Sequence, residues 1–192
     1  MGNLIDDPET TLLRRDVIFK KGFLKKLYCQ WYGILIEKTG LKPGMKVLEL
    51  GSGSGFIKDV QPDIITSDVL PLGHCDMVLS AEKLPFKNGE LNGIIMLDVF
   101  HHIPDCRNFL KEAQRTLAAN GKIVMIEPAN TLWSRIIYRY FHHEFFDTKT
   151  NNWSFPSSGP LSGANSALAW VVFERDAIKF QKEFPGLKIK RI

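Results

Sequence analysis

Two hydrophobic patterns divide the chain. From Leu12 to Leu35 the apolar residues Leu12, Leu13, Val17, Phe19, Phe23, Leu24, Leu27, Trp31, Ile34 and Leu35 recur at roughly helical spacing. Asp7, Pro8 and Glu9 supply a start and Gly40 a stop, so the pattern predicts one long helix, or two with a break at Gly22. The other face carries Arg14, Arg15, Lys20, Lys21, Lys25 and Lys26, which suits solvent or, alternatively, an acidic partner or membrane surface.

Beyond Lys46 the pattern changes to short, continuous apolar runs: KVLELG (46–51), DIITSDV (63–69), DMVLS (76–80), NGIIMLDV (92–99), GKIVMIEP (121–128) and LKIKRI (187–192). Runs without polar alternation are the mark of strands buried on both faces. Between the fourth and fifth, DCRNFLKEAQRTLAANG (105–121) has amphipathic spacing, with Asp105 near its cap and Gly121 past its end. Strand, helix and strand in alternation imply an α/β domain with a mainly parallel sheet wrapped by helices. One domain spans 1–192: an N-terminal helical segment (1–41), a core (44–128), an insertion and loop (129–170), and a final helix and strand (171–192).

Two early crossovers are short. Residues 56–62 allow little more than two helical turns, and 70–75 fall well below the dozen or more residues a parallel crossover usually needs. Either the third strand is vestigial or its crossover is a bare loop. At the other end, FERDAIKFQKEF (173–184) predicts a helix and LKIKRI a strand that stops at Ile192, which leaves no complete C-terminal β-hairpin. An exposed sheet edge favours pairing, so a monomer or a homodimer is expected.

Composition narrows the classes. A chain of 192 residues, 44% hydrophobic and 24% charged, can bury one core and stay in solution. The net charge of +4 is mildly basic without a clustered stripe, so no nucleic-acid partner is expected. Cys29, Cys75 and Cys106 form no CxxC pair, which argues against a zinc site or disulfide framework and for a reducing, cytoplasmic compartment. No apolar run reaches the ~18 residues of a membrane span. Gly2 invites a lipid-anchor reading, but Asp6 stands where that motif wants Ser or Thr.

The candidate chemistry lies in VLELGSGSGFIKDV (47–60), where glycines alternate straight after the first strand. Such a turn admits unusual backbone angles and lets a ligand reach main-chain N–H groups, although a tight turn with nothing bound is the other reading. Asp68, at the end of the next strand, can accept both hydroxyls of a ribose. Phe56 breaks the dinucleotide pattern GxGxxG and argues against a pyrophosphate, hence against a nicotinamide-dependent oxidoreductase. Glu49 would repel phosphate and attract an ammonium. A ribose, an ammonium and no phosphate describe S-adenosylmethionine.

In this stretch the sequence resembles the class I S-adenosylmethionine-dependent methyltransferases, in particular the group containing ubiquinone/menaquinone-type and other small-molecule enzymes. VLELGSGSG, ITSDV, SAEKLPF, LDVFHHIPD and LAANGKIVMIEP match their successive segments in order over about residues 44–128. The resemblance implies a Rossmann-like three-layer sandwich, transfer of a methyl group to a small molecule, and S-adenosylhomocysteine as product. It implies that Gly51, Ser52 and Gly53 lie against the methionine part, with Glu49 serving its ammonium and Asp68 the ribose. Ser80, Ala81 and Glu82 would border the adenine, with Leu84 nearby, and Asp98 would line the methyl end. Ser80 stands where the family usually has an aspartate, which keeps a second reading open: a non-catalytic cofactor-binding regulatory or assembly protein.

A base is needed only for some acceptors, and His101 and His102 are the candidates, since imidazole titrates near neutrality. A histidine there can equally pack or hold a loop. In SRIIYRYFHHEFFD (134–147) the pair His142 and His143 precedes Glu144 and Asp147, but adjacent histidines diverge by about 100° on a helix, so no metal is expected. Tyr138 and His142, with Tyr140, Phe141, Phe145 and Phe146, could wall an acceptor pocket or simply pack. NNWSFPSSGPLSGANSA (151–167) reads as a long loop whose Trp153 and Phe155 could close over an acceptor or pin the loop. These aromatics and the basic helix are compatible with an apolar or lipid-linked acceptor and with peripheral membrane contact.

Overall fold

The computed structural model describes residues 6–142, 144–157, 159 and 163–191. The first helix, α1 (Pro8–Lys20), starts where Asp7 accepts a hydrogen bond from the Glu9 N–H and Pro8 presets the first turn. Lys21 is extended, and α2 (Gly22–Thr39) begins immediately after it, so the helical segment is two helices. Gly40 closes α2 in the left-handed conformation, φ 70°, its N–H bonding to the carbonyls of Ile36 and Glu37.

The strands are β1 (Val47–Leu50), β2 (Ile65–Asp68), β3 (Met77–Val78), β4 (Leu91–Leu97) and β5 (Leu117–Ile126), and the short α3 (Ile57–Val60) joins the first two. They form one sheet in the order β3-β2-β1-β4-β5. Every pairing is parallel. Side chains alternate across the sheet and build two cores. Val47 and Ile95 face α1, α2 and α3, where Tyr32, Leu35, Phe56 and Ile57 pack. Leu48, Leu50, Ile94 and Met96 face the opposite layer, with Phe109 of α4 (Cys106–Thr116) and Val172 and Phe180 of the C-terminal helices. The result is the expected three-layer α/β sandwich.

Both readings of the short crossovers hold together. β3 is two residues long, and the connection from β2 carries no helix. Asp76 replaces it as a brace: its carboxylate accepts from the Thr66 N–H at 2.9 Å and hydroxyl at 3.0 Å, and from Lys58 Nζ.

Two expected elements are corrected. β5 starts at Leu117 rather than Gly121, because Leu117 pairs with Leu91 and the ladder then shifts register, with Asn120 at φ 64°. Helix α4 therefore ends at Thr116, whose hydroxyl bonds back to the Glu112 carbonyl. LKIKRI forms no strand over 187–191: Leu187 packs on the core, Lys188 to Arg191 are exposed, and Arg191 pairs with Glu174 rather than with a strand of the sheet. Ile192 lies outside the described residues.

After β5 come α5 (Leu132–Tyr140) and, farther along the chain, a C-terminal helical run: α6 (Leu168–Trp170), a wide turn over Val171–Arg175 and α7 (Ala177–Glu183). Trp153, which the sequence left either closing over an acceptor or pinning its loop, does the second: it is sealed in the core at 0% exposure, its indole N–H donating to Asp176 at 2.8 Å. Trp153→Ala should lower the free energy of unfolding by about 3 to 5 kcal/mol. Leu132→Ala, at a position 81% exposed, should change it by less than about 0.5 kcal/mol, both read from urea denaturation.

Candidate functional site

At the carboxyl ends of the strands the chain leaves a cavity of about 780 Å³. That is where an open parallel sheet offers a crevice, and the size is that of a ligand site. Its walls come from the turns after β1, β2, β3 and β4, from α1 and α2, and from His142, Glu144, Phe145, Gly163 and Ala164.

The three glycines after β1 have distinct reasons. Gly51 sits at φ 65°, and a Cβ there would fall 2.7 Å from Val99. Gly53 sits at φ 48° with no atom closer than 3.8 Å to where a Cβ would be, so its backbone is open to the cavity. Gly55 lies outside the left-handed region, and a side chain there would overlap the Tyr32 hydroxyl, which accepts from the Phe56 N–H at 3.0 Å.

Asp68 holds this turn to the end of β2. Its buried carboxylate accepts from the Gly53 N–H and, through the other oxygen, from the Leu70 N–H, each at 2.8 Å. Each oxygen keeps a second lone pair for an incoming hydroxyl. Glu49 is only 2% exposed and accepts from the Ser52 hydroxyl. Burial, assisted by the Asp68 charge, pushes its carboxyl up to about 7. A buried acid of this kind, beside an open glycine backbone and an aspartate with spare acceptor capacity, suits a cationic, ribose-bearing ligand. Ser80, Ala81 and Glu82 also line the cavity. Ser80 Oγ accepts from the Glu82 N–H, and Glu82 from the Asp105 N–H at 2.7 Å. Leu84 lies just behind, buried in the core.

The far end of the cavity is charged. Asp98 is left-handed at φ 62°, unusual for a residue with a side chain, and its carboxylate opens into the cavity. His101 is 1% exposed and lies outside the lining, between Glu127 at 2.7 Å from Nδ1 and Glu144 at 3.4 Å from Nε2. Burial alone would lower its pKa, but the two carboxylates raise it to about 10. His102 does line the cavity, and burial holds its pKa below the ordinary value. Of the expected candidate bases, only His102 faces the space an acceptor could occupy.

The acceptor-side expectations divide. His142 lines the cavity, as do Glu144 and Phe145. Tyr138 instead stacks between Phe146 and His142 at 4.9 and 4.7 Å, and Phe155 packs over Gly163, both outside the lining. Trp153 is in the core, and His143 lies outside the described residues. Sequence reasoning missed Tyr28 and Tyr32 of α2 and Thr11, Leu13 and Val17 of α1 as lining of the cavity. It also missed His74, whose Nε2 meets the Gly53 carbonyl at 3.0 Å, and Glu127, which gathers the Val99 and Phe100 N–H groups. The spacing of Tyr28 and Tyr32 on the apolar stripe of α2 was the available signal for the tyrosines.

Comparison with known proteins shows the family and the fold. The family described as "Methyltransferase domain" matches residues 22–166. A protein-L-isoaspartate O-methyltransferase of Hyperthermus butylicus is 38% identical over 52 residues, covering 27% of this chain and 22% of the relative. A ubiquinone/menaquinone biosynthesis C-methyltransferase of Bordetella avium is 27% identical over 126 residues, covering 53% of this chain and 48% of the relative. The chain thus spans about half or less of the length of these curated relatives. A crystal structure from Bacillus halodurans, assigned to the methyltransferases, superposes with a TM-score of 0.50 at 19% identity, covering 79% of this chain and 64% of its own. That likeness is one of fold.

The Glu49 carboxyl offers a direct test of the cavity's electrostatics. Its pKa in the folded chain, about 7, lies above the ordinary 4.5, so the folded state holds the proton longer. Stability should therefore be greatest below pH 4.5 with respect to this group, decline as the pH rises toward 7, and level off above it. Urea midpoints between pH 5 and 6.5, below the range in which the raised pKa of His101 adds a decline of its own, should fall with pH, and Glu49→Gln should reduce that slope.

Proposed function

The chain belongs to the class I S-adenosylmethionine-dependent methyltransferases, and on that premise we propose that it transfers a methyl group to a small-molecule acceptor held at the charged end of this cavity. The observation that carries the reading is the convergence of Glu49, the open Gly53 backbone and Asp68 on one cavity of about 780 Å³.

When bound, S-adenosylmethionine supplies a methyl on a sulfonium, already a good leaving group. The protein's share is then alignment, which in the most favourable cases contributes up to about 7 to 11 kcal/mol. In the proposed arrangement Glu49 meets the ammonium, and the backbone of Gly51, Ser52 and Gly53 lies along the methionine part. Asp68 accepts the ribose hydroxyls through its spare lone pairs, and Ser80, Ala81 and Glu82 border the adenine. Tyr28 and Tyr32 exclude water above them. At the opposite end Asp98, His102 and His142 surround the acceptor, and His102 is placed to take a proton where the acceptor must lose one.

An apolar or lipid-linked acceptor is favoured by the exposed apolar residues Leu13 and Phe145 in the cavity lining, with Leu132 and Phe141 on the surface nearby in sequence. The Bordetella relative, named for ubiquinone and menaquinone biosynthesis, points to the same class. No helix among the described residues is long and apolar enough to cross a membrane. Binding without turnover is the second reading, kept by Ser80 in the adenine wall.

Calorimetric titration with S-adenosylhomocysteine should give micromolar binding, weakened at least tenfold in Asp68→Ala. Because the ammonium favours ionised Glu49, affinity should rise with pH and be about tenfold weaker at pH 6 than at pH 8, a slope lost in Glu49→Gln. Tighter binding of NAD than of S-adenosylhomocysteine would sink the assignment. Turnover of labelled cofactor on any small acceptor would eliminate the second reading.

A further inference from the structure

The charged end of the cavity contains an arrangement that methyl transfer by itself does not require. His101 and His102 lie in the short helical turn Phe100–His102 that follows the left-handed Asp98. Their rings stand 4.3 Å apart, centroid to centroid. Both Nε2 atoms approach one carboxylate from a distant part of the chain: His101 Nε2 is 3.4 Å from Glu144 Oε2, and His102 Nε2 is 3.5 Å from Glu144 Oε1. The three ligand-type atoms all lie within 4.8 Å of one another. Two ligands bound at about 2.0 to 2.1 Å to a tetrahedral ion stand about 3.3 to 3.4 Å apart, so these separations need little closure.

The outer contacts strengthen the case. His101 Nδ1 is paired with Glu127 at 2.7 Å, and His102 Nδ1 with the Gly163 carbonyl at 3.4 Å. Each imidazole thus has its Nδ1–H directed to an acceptor and its Nε2 turned toward the common point, the pattern that fixes tautomer and ring orientation in metal-ligating histidines. Glu144 is itself held by the buried Ser166 hydroxyl at 2.7 Å, and Glu127 by the backbone N–H groups of Val99 and Phe100. Every candidate ligand therefore has an outer partner. Asp98 and Glu127 also approach His101, but through the nitrogen already committed to Glu127, so they do not make a second centre.

We propose that His101 Nε2, His102 Nε2 and the Glu144 carboxylate form a binding site for a first-row divalent ion. Two imidazoles and one carboxylate suit Zn²⁺, Fe²⁺ or Mn²⁺. His101 closes the site on the core side, and His102 and Glu144 line the cavity, which leaves coordination positions open toward the acceptor space. The ligand class that could complete the shell there is an oxygen donor such as a phenol, an enol or a carboxylate. The sequence led to no expected metal, on the ground that adjacent histidines diverge on a helix; in the short turn after Asp98 the rings of His101 and His102 instead stand side by side, and this set shares only Glu144 with the motif set aside there.

The test uses the full chain after dialysis against a chelator. Zn²⁺, Mn²⁺ and, under anaerobic conditions, Fe²⁺ are titrated in separate arms, with bound metal counted by elemental analysis and the Co²⁺ form examined by visible absorption. One equivalent of at least one ion should bind, with affinity reduced at least tenfold in Glu144→Gln and in His102→Ala, and about 10- to 100-fold in Ser166→Ala, which removes an outer contact. Thermal melts establish that the variants are folded, and Glu144→Gln, nearly isosteric, carries the test if His102→Ala is not. The proposal is overturned by failure of all three ions to bind stoichiometrically. It is equally overturned if an ion binds with unchanged affinity in folded Glu144→Gln, which would mean adventitious binding elsewhere. S-adenosylhomocysteine titration of the same samples reports on the cofactor pocket separately, so failure of one reading is distinguishable from failure of the other.

Discussion

The carboxylate of Asp68 is the point on which the site depends. It reaches from the end of β2 to the Gly53 N–H and turns back to the Leu70 N–H, so one side chain fixes the relative position of two strand ends. A hydrogen bond to an ionised acceptor is stronger than a neutral one, and burial removes the water that would compete for it. The β1 turn can then remain open at Gly53 without collapsing into the cavity. The Ser52 N–H donates to the Ser67 carbonyl and His74 meets the Gly53 carbonyl, so the turn is held from several sides. Part of the rigidity that a longer crossover helix would supply comes from these polar ties.

The strands were readable because their signal is local. Continuous apolar runs ending in glycine or an acid leave few alternatives, and β1, β2 and β4 lie where those runs are. Glu49, Gly51, Ser52, Gly53 and Asp68 were readable for the same reason, since their positions at strand ends are set by short stretches of chain. Ser80, Ala81, Glu82 and Asp98 were named through the family resemblance, and all four line the cavity.

Misread features depend on distant partners. LAANG has helix-forming alanines, yet Leu117 is drawn into the sheet by Leu91 and ends α4 early. Trp153 lies among serines, prolines and asparagines that mark a loop, but nothing in those neighbours reveals the core space that α4 and α7 leave for an indole. The meeting of His101 and His102 with Glu144 is likewise invisible along the chain, because it depends on the backbone after α5 returning to the end of β4.

The two-residue β3 has a consequence for the molecule in a crowded solution. It is the outermost strand on its side of the sheet, and an outermost strand ordinarily offers a row of unpaired N–H and C=O groups to any passing extended segment. Here that row is hardly longer than a single turn of chain, and the loop leading into it is occupied by the Lys58–Asp76 ion pair. A foreign strand arriving there would find too few hydrogen bonds to register against. The economy of the crossover thus also protects that margin of the sheet from templating its own aggregation.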